Sequence, residues 1–358
     1  MRMVARCVRG LEPLLATEIL RYELGTITHL GHREVRFRTE PSESELPESE
    51  ATELRLADDV FQLTAEIPDI GPAKAGVHGL GRLAESIGVQ SSVEGRSPVD
   101  VRSPIEVQSP VAGIEVTASF LGRRNFNRHD AEDAVGRILS ERLGVPYHSR
   151  RNNSVPPSEY SAWRLALDGV NACLMRRIAD HPLHRRPYKR RTIPGTLHPP
   201  LAAAMAQMAE IEPGHTVLDP CCGAGTPLIE AAHIQPQAHL HGFDISPESL
   251  RASRTNAAGL AIEFRQGDAG ALPLPDAGVD RVICNPPWGT QVAPDGRLSR
   301  RWTELRRVLA PKGIAVILTP DPSDLTIAIR NGLIPVHLQQ VRIAGTHSSL
   351  VQLRHSAD

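Results

Sequence analysis

A short apolar segment, a glycine-rich turn and a helix-like segment constrain the fold of this chain most strongly. Thr216–Leu218 predicts a buried strand, Asp219–Thr226 (Asp-Pro-Cys-Cys-Gly-Ala-Gly-Thr) contains the turn, and Pro227–Ala232 predicts a helix. This order is typical of nucleotide-binding α/β folds, because glycine lets the backbone approach a ligand where a Cβ would clash. The spacing is not Gly-x-Gly-x-x-Gly, and no P-loop lysine follows. We therefore expect a ligand with an amino acid tail rather than a phosphate.

Two carboxylates follow the next two predicted strands. Asp244 ends Leu240–Phe243 about 20 residues after the glycine turn, where related folds place the carboxylate that takes the ribose hydroxyls. Asp268 follows Ile262–Phe264 and is placed to accept a hydrogen bond from an adenine amino group. Each carboxylate alone would be an ordinary loop cap. Together they predict a nucleoside site at one edge of a parallel sheet.

Asn285-Pro286-Pro287-Trp288 ends the mostly apolar segment Val279–Cys284. The two prolines fix φ and remove backbone donors, so their carbonyls can face a ligand. The Asn285 side-chain oxygen and the Pro286 carbonyl would accept the hydrogens of one planar NH2 group, and Trp288 offers a face for ring stacking. The alternative for the motif alone is a proline-terminated edge strand. The predicted catalytic residues are Asn285, Pro286, Pro287 and Trp288.

This set of strand ends resembles the S-adenosylmethionine-dependent methyltransferases that act on amino groups. The resemblance implies S-adenosylmethionine as the cofactor and direct methyl transfer without a covalent enzyme intermediate. The predicted cofactor contacts are Asp219, Cys221, Gly223, Gly225, Thr226, Asp244, Ile245, Asp268, Ala269 and Asn285.

A concentrated basic segment contrasts with the net charge of −1. Residues 181–191 carry five cations and no acid, with Tyr188 among them, and further cations cluster near residues 123–128 and 150–151. A local positive field attracts phosphates even when the net charge is near zero. A solvated interdomain linker is the alternative for the 181–191 segment alone. The predicted RNA contacts are Arg123, Arg124, Arg128, Arg185, Arg186, Lys189, Arg190 and Arg191.

Composition and cysteine usage narrow the class of protein. The charged start of the sequence lacks the apolar core of a signal peptide, and no run approaches the roughly 18 to 20 apolar residues of a membrane span. Five cysteines without a Cys-x-x-Cys pair predict reduced thiols and no metal. We expect a cytoplasmic protein that does not contact membranes.

Three further segments resemble the THUMP-domain RNA methyltransferases: Ala118–Phe126, Leu183–Arg190 and Leu197–Ala203. The resemblance implies methylation of the exocyclic N2 of a guanine, usually in tRNA. It also implies an α/β protein in which a ferredoxin-like/THUMP α+β RNA-binding region precedes a Rossmann-type seven-stranded methyltransferase domain. Two features depart from the family: three Ser-Pro hexads at 96–113, and Trp288 where tyrosine is commoner.

The resemblance and the segment pattern together predict four parts. Residues 1–55 form a ferredoxin-like region, 56–180 a THUMP-like domain, 181–200 a basic linker and 201–358 the methyltransferase domain. Local patterns further predict an early helix with Leu14, Leu15, Ile19 and Leu20 on one face. They also predict a helix around Lys74–Ile87 and a helix-leaning segment at Ala172–Ile178.

The sequence leaves several functions open. The Asn-Pro-Pro-aromatic motif also serves adenine N6-methyltransferases and enzymes that methylate a glutamine side chain, since each substrate presents an NH2 group on a planar carbon. A catalytically inactive RNA-binding protein is an alternative of another class. The RNA position, mono- or dimethylation, and the oligomeric state do not follow from the sequence.

Overall fold

The computed structural model describes residues 1–39, 50–87, 111–287, 297–320, 323–343 and 345–356. Unit one comprises Met1–Ala5, Arg36–Thr52 and Asp59–Asp180, and unit two comprises Arg6–Val35, Glu53–Asp58 and His181–Asp358. We propose that the chain also has the four parts predicted from its sequence. Trp288 and nearly all of the Ser-Pro hexads at 96–113 lie outside the described residues.

Helices and strands are interspersed along the whole chain. The first half contains β1 (Arg2–Arg6), α1 (Glu12–Arg21), β2 (Thr26–Gly31), β3 (Glu34–Arg38), β4 (Asp59–Pro68), a 3-10 helix (Lys74–Leu80), α2 (Gly81–Glu85), β5 (Ile114–Phe120), α3 (Arg128–Leu143), β6 (Tyr147–His148), a 3-10 helix (Arg150–Asn152), β7 (Ser161–Leu167) and β8 (Asn171–Arg177). The second half contains α4 (Pro199–Met208), β9 (Thr216–Asp219), α5 (Thr226–Ile234), β10 (His239–Asp244), α6 (Pro247–Asn256), β11 (Ile262–Gln266), β12 (Val279–Cys284), α7 (Arg297–Val308), β13 (Leu309–Thr319), α8 (Ser323–Arg330), β14 (Leu333–Ile343) and β15 (Thr346–His355).

Unit one is an α+β structure whose strands lie in the order β3-β1-β4-β8-β7-β5-β6. Its helix α3 packs on β5 and begins with a capping box, in which Asn127 and Asp130 bond each other's backbone N–H groups. The helix ends at Gly144, whose φ of +66° suits a left-handed cap. This unit agrees with the predicted α+β region.

Three local predictions for the first half were wrong in detail. Ala172–Ile178 is not helical: β8 lies between β4 and β7, and its buried residues override the helix propensity of alanine, leucine and methionine. Leu20 is 56% exposed, so the buried face of α1 is formed by Leu15 and Ile19 with Glu18. The helix predicted at 74–87 begins as a 3-10 helix, because its glycines disfavour α-helix.

Unit two contains a seven-stranded sheet in the order β11-β10-β9-β12-β13-β15-β14, counted over the part of the chain that the structure describes. Neighbouring strands from β11 to β13 are parallel, and β15 runs antiparallel to both β13 and β14. Most residues of the parallel strands β9 and β12 are buried, as expected for strands covered on both faces. The predicted Rossmann-type seven-stranded domain is confirmed.

Candidate active site

The carboxyl ends of four adjacent parallel strands bring most of the predicted site residues together. Asp219 ends β9, Asp244 ends β10 and Asn285 follows β12, while Asp268 lies two residues beyond β11. Because these strands are neighbours in the order β11-β10-β9-β12, their ends form one edge of the sheet. Ligands of open α/β sheets bind at this edge, where the strand order reverses.

The glycine turn is tied to the end of β10 by backbone hydrogen bonds. Cys222 N donates to the Phe243 carbonyl at 2.9 Å, and Gly223 N donates to Asp244 Oδ2 at 2.9 Å. Ser246 N donates to the other Asp244 oxygen at 2.8 Å. Both oxygens of this half-buried carboxylate are therefore held in place, and each keeps a lone pair for a further donor.

The backbone at Gly225 leaves no room for a side chain. Its φ is +81°, and a Cβ would lie 3.1 Å from both Phe264 Cζ and Ser253 Cβ. The residue also starts α5, since Ile229 N donates to the Gly225 carbonyl at 3.0 Å. At Gly223 (φ +51°) the space is open, and Ile193 Cδ1 lies 4.0 Å from the point that a Cβ would occupy. The turn therefore combines a tightly packed glycine with one that faces free volume.

Asp219 is a buried carboxylate with an unsatisfied oxygen. It is 1% exposed, and its Oδ1 accepts from Cys221 N at 3.0 Å, whereas Oδ2 has no partner among the described residues. Burial raises the pKa of Asp219 to about 8, and the negative charge of Asp244 adds to this effect. The hydroxyl of Thr226, also 1% exposed, has no partner within the described ranges. Buried polar atoms of this kind require a donor or acceptor from a ligand or water.

The remaining predicted cofactor residues flank this turn. Ile245 is 67% exposed, directly after Asp244, and its carbonyl accepts from Gln266 Nε2 at 3.1 Å. Asp268 is exposed, and its Oδ1 accepts from Gly270 N at 2.8 Å, while Ala269 is buried. The site therefore offers an exposed apolar side chain beside two carboxylates.

Cys221 of the glycine turn and Cys284 at the end of β12 are in hydrogen-bonding contact. The hydrogen bond with Cys221, together with burial, raises the pKa of the Cys284 thiol. Burial also raises the pKa of the Cys222 thiol. A thiolate is the reactive form of cysteine, so neither Cys284 nor Cys222 is prepared for nucleophilic chemistry. Their small, soft side chains serve packing below the site.

The Asn-Pro-Pro corner follows β12 directly. Asn285 and Pro286 are half-buried and Pro287 is exposed. Because β12 pairs with β9 through Val282 and Leu218, the corner is adjacent to the glycine turn that follows β9. This position agrees with that expected for residues that face a ligand bound by the turn.

The predicted RNA-binding cations occupy two different environments. Exposed side chains are those of Arg123, Arg128, Arg185, Arg190 and Arg191. Arg124, in contrast, is 5% exposed and forms a two-point ion pair with Asp69 at 2.6 and 2.7 Å, and this bond lowers the pKa of Asp69. Lys189 is half-buried, and burial lowers its pKa. Arg124 is therefore a structural residue of unit one.

Arg186 belongs to a buried network that sequence reasoning missed. Glu230 of α5, fully buried, accepts from Arg55 Nε at 2.6 Å, from the Tyr188 hydroxyl at 2.6 Å and from Arg186 Nε at 3.3 Å. Arg186 also donates to the carbonyls of Leu183 and Arg55, each at 2.7 Å. Arg186 lies 44 residues and Arg55 lies 175 residues from Glu230 along the chain, so no local pattern announces these contacts. Arg186 and Tyr188 anchor the basic segment to α5 and are not available to a polyanion.

The described ranges hold neither a metal cluster nor a membrane-spanning helix. No group of three or more His, Cys, Asp or Glu side chains is arranged there to hold a metal ion. Across those same residues, no helix combines the length and apolar character needed to cross a bilayer.

The chain is similar to proteins of one enzyme group. Residues 186–349 match the family described as UPF0020, RMKL-like methyltransferase domain. The tRNA (guanine(6)-N2)-methyltransferase of Thermus thermophilus is 32% identical over 244 residues, which are 65% of this chain and 70% of that protein. The U6 snRNA (guanine-N(2))-methyltransferase THUMPD2 of Bos taurus is 41% identical over 122 residues, 33% of this chain and 24% of that protein.

Two solved structures are similar to this chain over nearly its whole length. The crystal structure of TrmN from Thermus thermophilus has a TM-score of 0.77 at 27% identity and covers 99% of both chains. The structure of SMU.472 complexed with SAH has a TM-score of 0.72, covering 100% of this chain and 98% of that one; at 18% identity it shows the fold alone. The chain therefore belongs to the THUMP-containing guanine-N2 RNA methyltransferase family.

Proposed function

We propose that this protein transfers a methyl group from S-adenosylmethionine to the exocyclic N2 of a guanosine in RNA, with tRNA as the substrate. The observation that carries the proposal is the Asn285 corner beside the glycine turn of β9, in a chain with 32% identity to a tRNA guanine-N2 methyltransferase. The cytoplasm is the compartment we expect for such an enzyme.

The residues at the strand ends fit the cofactor. The unsatisfied Asp219 Oδ2 would accept from the ammonium group of the amino acid tail. Asp244, fixed by two backbone donors, would take the ribose hydroxyls with its remaining lone pairs. Asp268 would accept from the adenine amino group, and exposed Ile245 would cover the adenine ring. Gly223 leaves open the space that the cofactor would fill.

The corner after β12 would hold the nitrogen that is methylated. The bound cofactor supplies an activated methyl group, so no strong base is needed at the outset. Guanine N2 is a poor nucleophile, because its lone pair is delocalised into the ring. Asn285 Oδ1 and the Pro286 carbonyl would accept its two hydrogens and turn the lone pair toward the cofactor. Holding both reactants in line contributes on the order of 7–11 kcal/mol in favourable cases.

The target base must leave its stack before it reaches this corner. Extrusion costs a few kcal/mol, and stacking on an aromatic side chain offsets part of that cost. We assign this role to Trp288. The exposed side chains of the basic clusters would contact the RNA backbone, namely those of Arg123, Arg128, Arg185, Arg190 and Arg191.

One experiment separates this function from its rivals. Purified protein is incubated with methyl-labelled S-adenosylmethionine and bulk tRNA, and the RNA is digested to nucleosides. Label in N2-methylguanosine supports the proposal. Label in N6-methyladenosine or in protein would select one of the other amine methylations, and absence of label despite cofactor binding would indicate an inactive RNA-binding protein.

A further inference from the structure

A tight turn precedes α4 and has no part in the chemistry described above. Thr196 N donates to the Ile193 carbonyl at 3.0 Å, and the two residues between them are Pro194 and Gly195. Gly195 has φ +78°, so this is the sequence and hydrogen bonding of a type II turn. The Thr196 hydroxyl adds two bonds, accepting from Ile193 N at 2.9 Å and donating to the Ile193 carbonyl at 2.6 Å. Three hydrogen bonds therefore hold these four residues in one conformation.

Asn256 connects Arg191, two residues before the Ile193–Thr196 turn, to the glycine turn. It is the last residue of α6 and only 2% exposed. Its Oδ1 accepts from Arg191 N at 2.8 Å, and its Nδ2 donates to the Arg191 carbonyl at 2.9 Å and to the Ala224 carbonyl at 3.0 Å. Both amide hydrogens are used, so the side chain has one orientation. A single amide thus fixes two backbone segments relative to each other.

Ile193 faces the open side of the glycine turn. Its Cδ1 lies 4.0 Å from the position that a Cβ on Gly223 would take, and apart from the chain neighbours of Gly223 no other atom of the described residues lies as near to that position. Ile193 is half-buried, in keeping with a side chain that borders free volume. The space above Gly223 therefore has the glycine turn on one side and Ile193 on the other.

We propose that the Ile193–Thr196 turn forms a wall of the cofactor pocket opposite Gly223, and that Asn256 is the positioning residue that sets the width of the pocket. This inference rests on the proposed cofactor site. Asn256 acts through the backbones of Arg191 and Ala224 and need not touch the cofactor. A pocket held at the right width before binding gains affinity, because less ordering remains to be done when the ligand arrives.

Asn256→Asp tests the proposal with almost no change in size. The substitution replaces both Nδ2 donors by an oxygen that faces the Arg191 and Ala224 carbonyls, so the two segments move apart. We expect the dissociation constant of S-adenosylhomocysteine (SAH) to rise at least tenfold, with a similar rise in the KM for S-adenosylmethionine. The kcat at saturating cofactor and saturating tRNA should stay within twofold, a division that general loss of structure does not produce.

Asn331→Asp is the matched control. Asn331 also uses Nδ2 to bind a backbone carbonyl, that of Ile327 at 2.8 Å, and its Oδ1 accepts from the Thr303 hydroxyl, so it joins α8 to α7 instead. Its SAH affinity should equal that of the wild type. Thr196→Val provides a second test that leaves the Asn256 bonds in place. Removal of the hydroxyl loosens the turn and should weaken SAH binding severalfold even if the Asn256 variant fails to fold.

The outcomes separate this inference from the site on which it rests. SAH affinity within twofold of the wild type in Asn256→Asp and in Thr196→Val would overturn the inference, as would an equal loss in Asn331→Asp. Failure of the wild-type protein to bind SAH at all would overturn the proposed cofactor site and the inference together.

Discussion

Cofactor affinity should depend on pH through the buried Asp219 carboxyl. Burial raises its pKa to about 8, so without ligand most molecules carry a protonated Asp219 at neutral pH. In the proposed site this group must ionise before it can pair with the ammonium group of the cofactor. Because the proton has to leave first, affinity for the cofactor should rise as the pH rises toward 8.

The size of the effect follows from the ionised fraction. For a pKa of about 8, the fraction is roughly 0.01 at pH 6 and roughly 0.09 at pH 7, and the apparent dissociation constant varies as its inverse. SAH should therefore bind about ninefold more tightly at pH 7 than at pH 6, or by about 1.3 kcal/mol. An α-amino group titrates near 7.7–8.0, so the ligand stays largely protonated over this interval.

Isothermal titration of SAH over this pH interval provides the assay. Asp219→Asn should bind more weakly than the wild type at pH 7 and should lose the pH dependence. Asp268→Asn serves as the control, because its exposed carboxyl lies at the same edge of the sheet and its removal should leave the pH dependence intact. A flat wild-type profile, or a slope that persists in Asp219→Asn, would refute the reasoning.

Three further predictions test other parts of the structure. Asn285→Ala should reduce methyl transfer by about 10²–10³-fold, the usual effect of losing one polar group that acts on the reacting centre. It should lower SAH affinity far less than methyl transfer, and titration showing an equal loss of affinity would contradict its role toward the base. Burial raises the pKa of Glu18 to about 7, so the folded state binds its proton more tightly than the unfolded state, and stability should fall as pH rises from 4.5 to 7. Glu18→Gln should remove up to about 3 kcal/mol of that dependence in urea unfolding, and an unchanged slope would exclude Glu18 as its source. Arg190→Ala should lower the slope of log K for tRNA binding against log salt concentration by about 0.7–0.9. Arg186→Ala should leave that slope unchanged and cost about 3–5 kcal/mol of folding stability, so equal slopes in both variants would contradict an exposed Arg190 and a buried, paired Arg186.

The sequence predicted the methyltransferase domain well because its signals are local. Mostly apolar segments such as Val279–Cys284 indicate buried strands, and polar residues directly after neighbouring parallel strands must lie at one edge of the sheet. The positions of Asp219, Asp244 and Asn285 follow from this rule alone. Their roles toward a cofactor and a base are still predictions.

Features that depend on distant partners were not predictable. The network around Glu230 joins residues up to 175 positions apart, and the Asn256 amide bonds a residue 65 positions away. No sequence pattern near Glu230 or Asn256 indicates these contacts. For the same reason, counting cations overestimated the RNA-binding set, since Arg124 and Arg186 are neutralised by carboxylates distant in sequence. A Pro-Gly pair such as Pro194-Gly195 is typical of a turn, but it does not indicate what the turn borders.

Through Arg191, we expect RNA binding and cofactor binding to affect each other. The Arg191 backbone forms two hydrogen bonds with the Asn256 amide. Its side chain is exposed and is one of the cations proposed to bind RNA. We expect RNA bound by that side chain to shift the Arg191 backbone and, through the Asn256 amide, the loop at Ala224. Thermodynamic linkage then requires reciprocity: whatever factor nucleic acid imposes on retention of the methyl donor, the donor imposes on retention of nucleic acid.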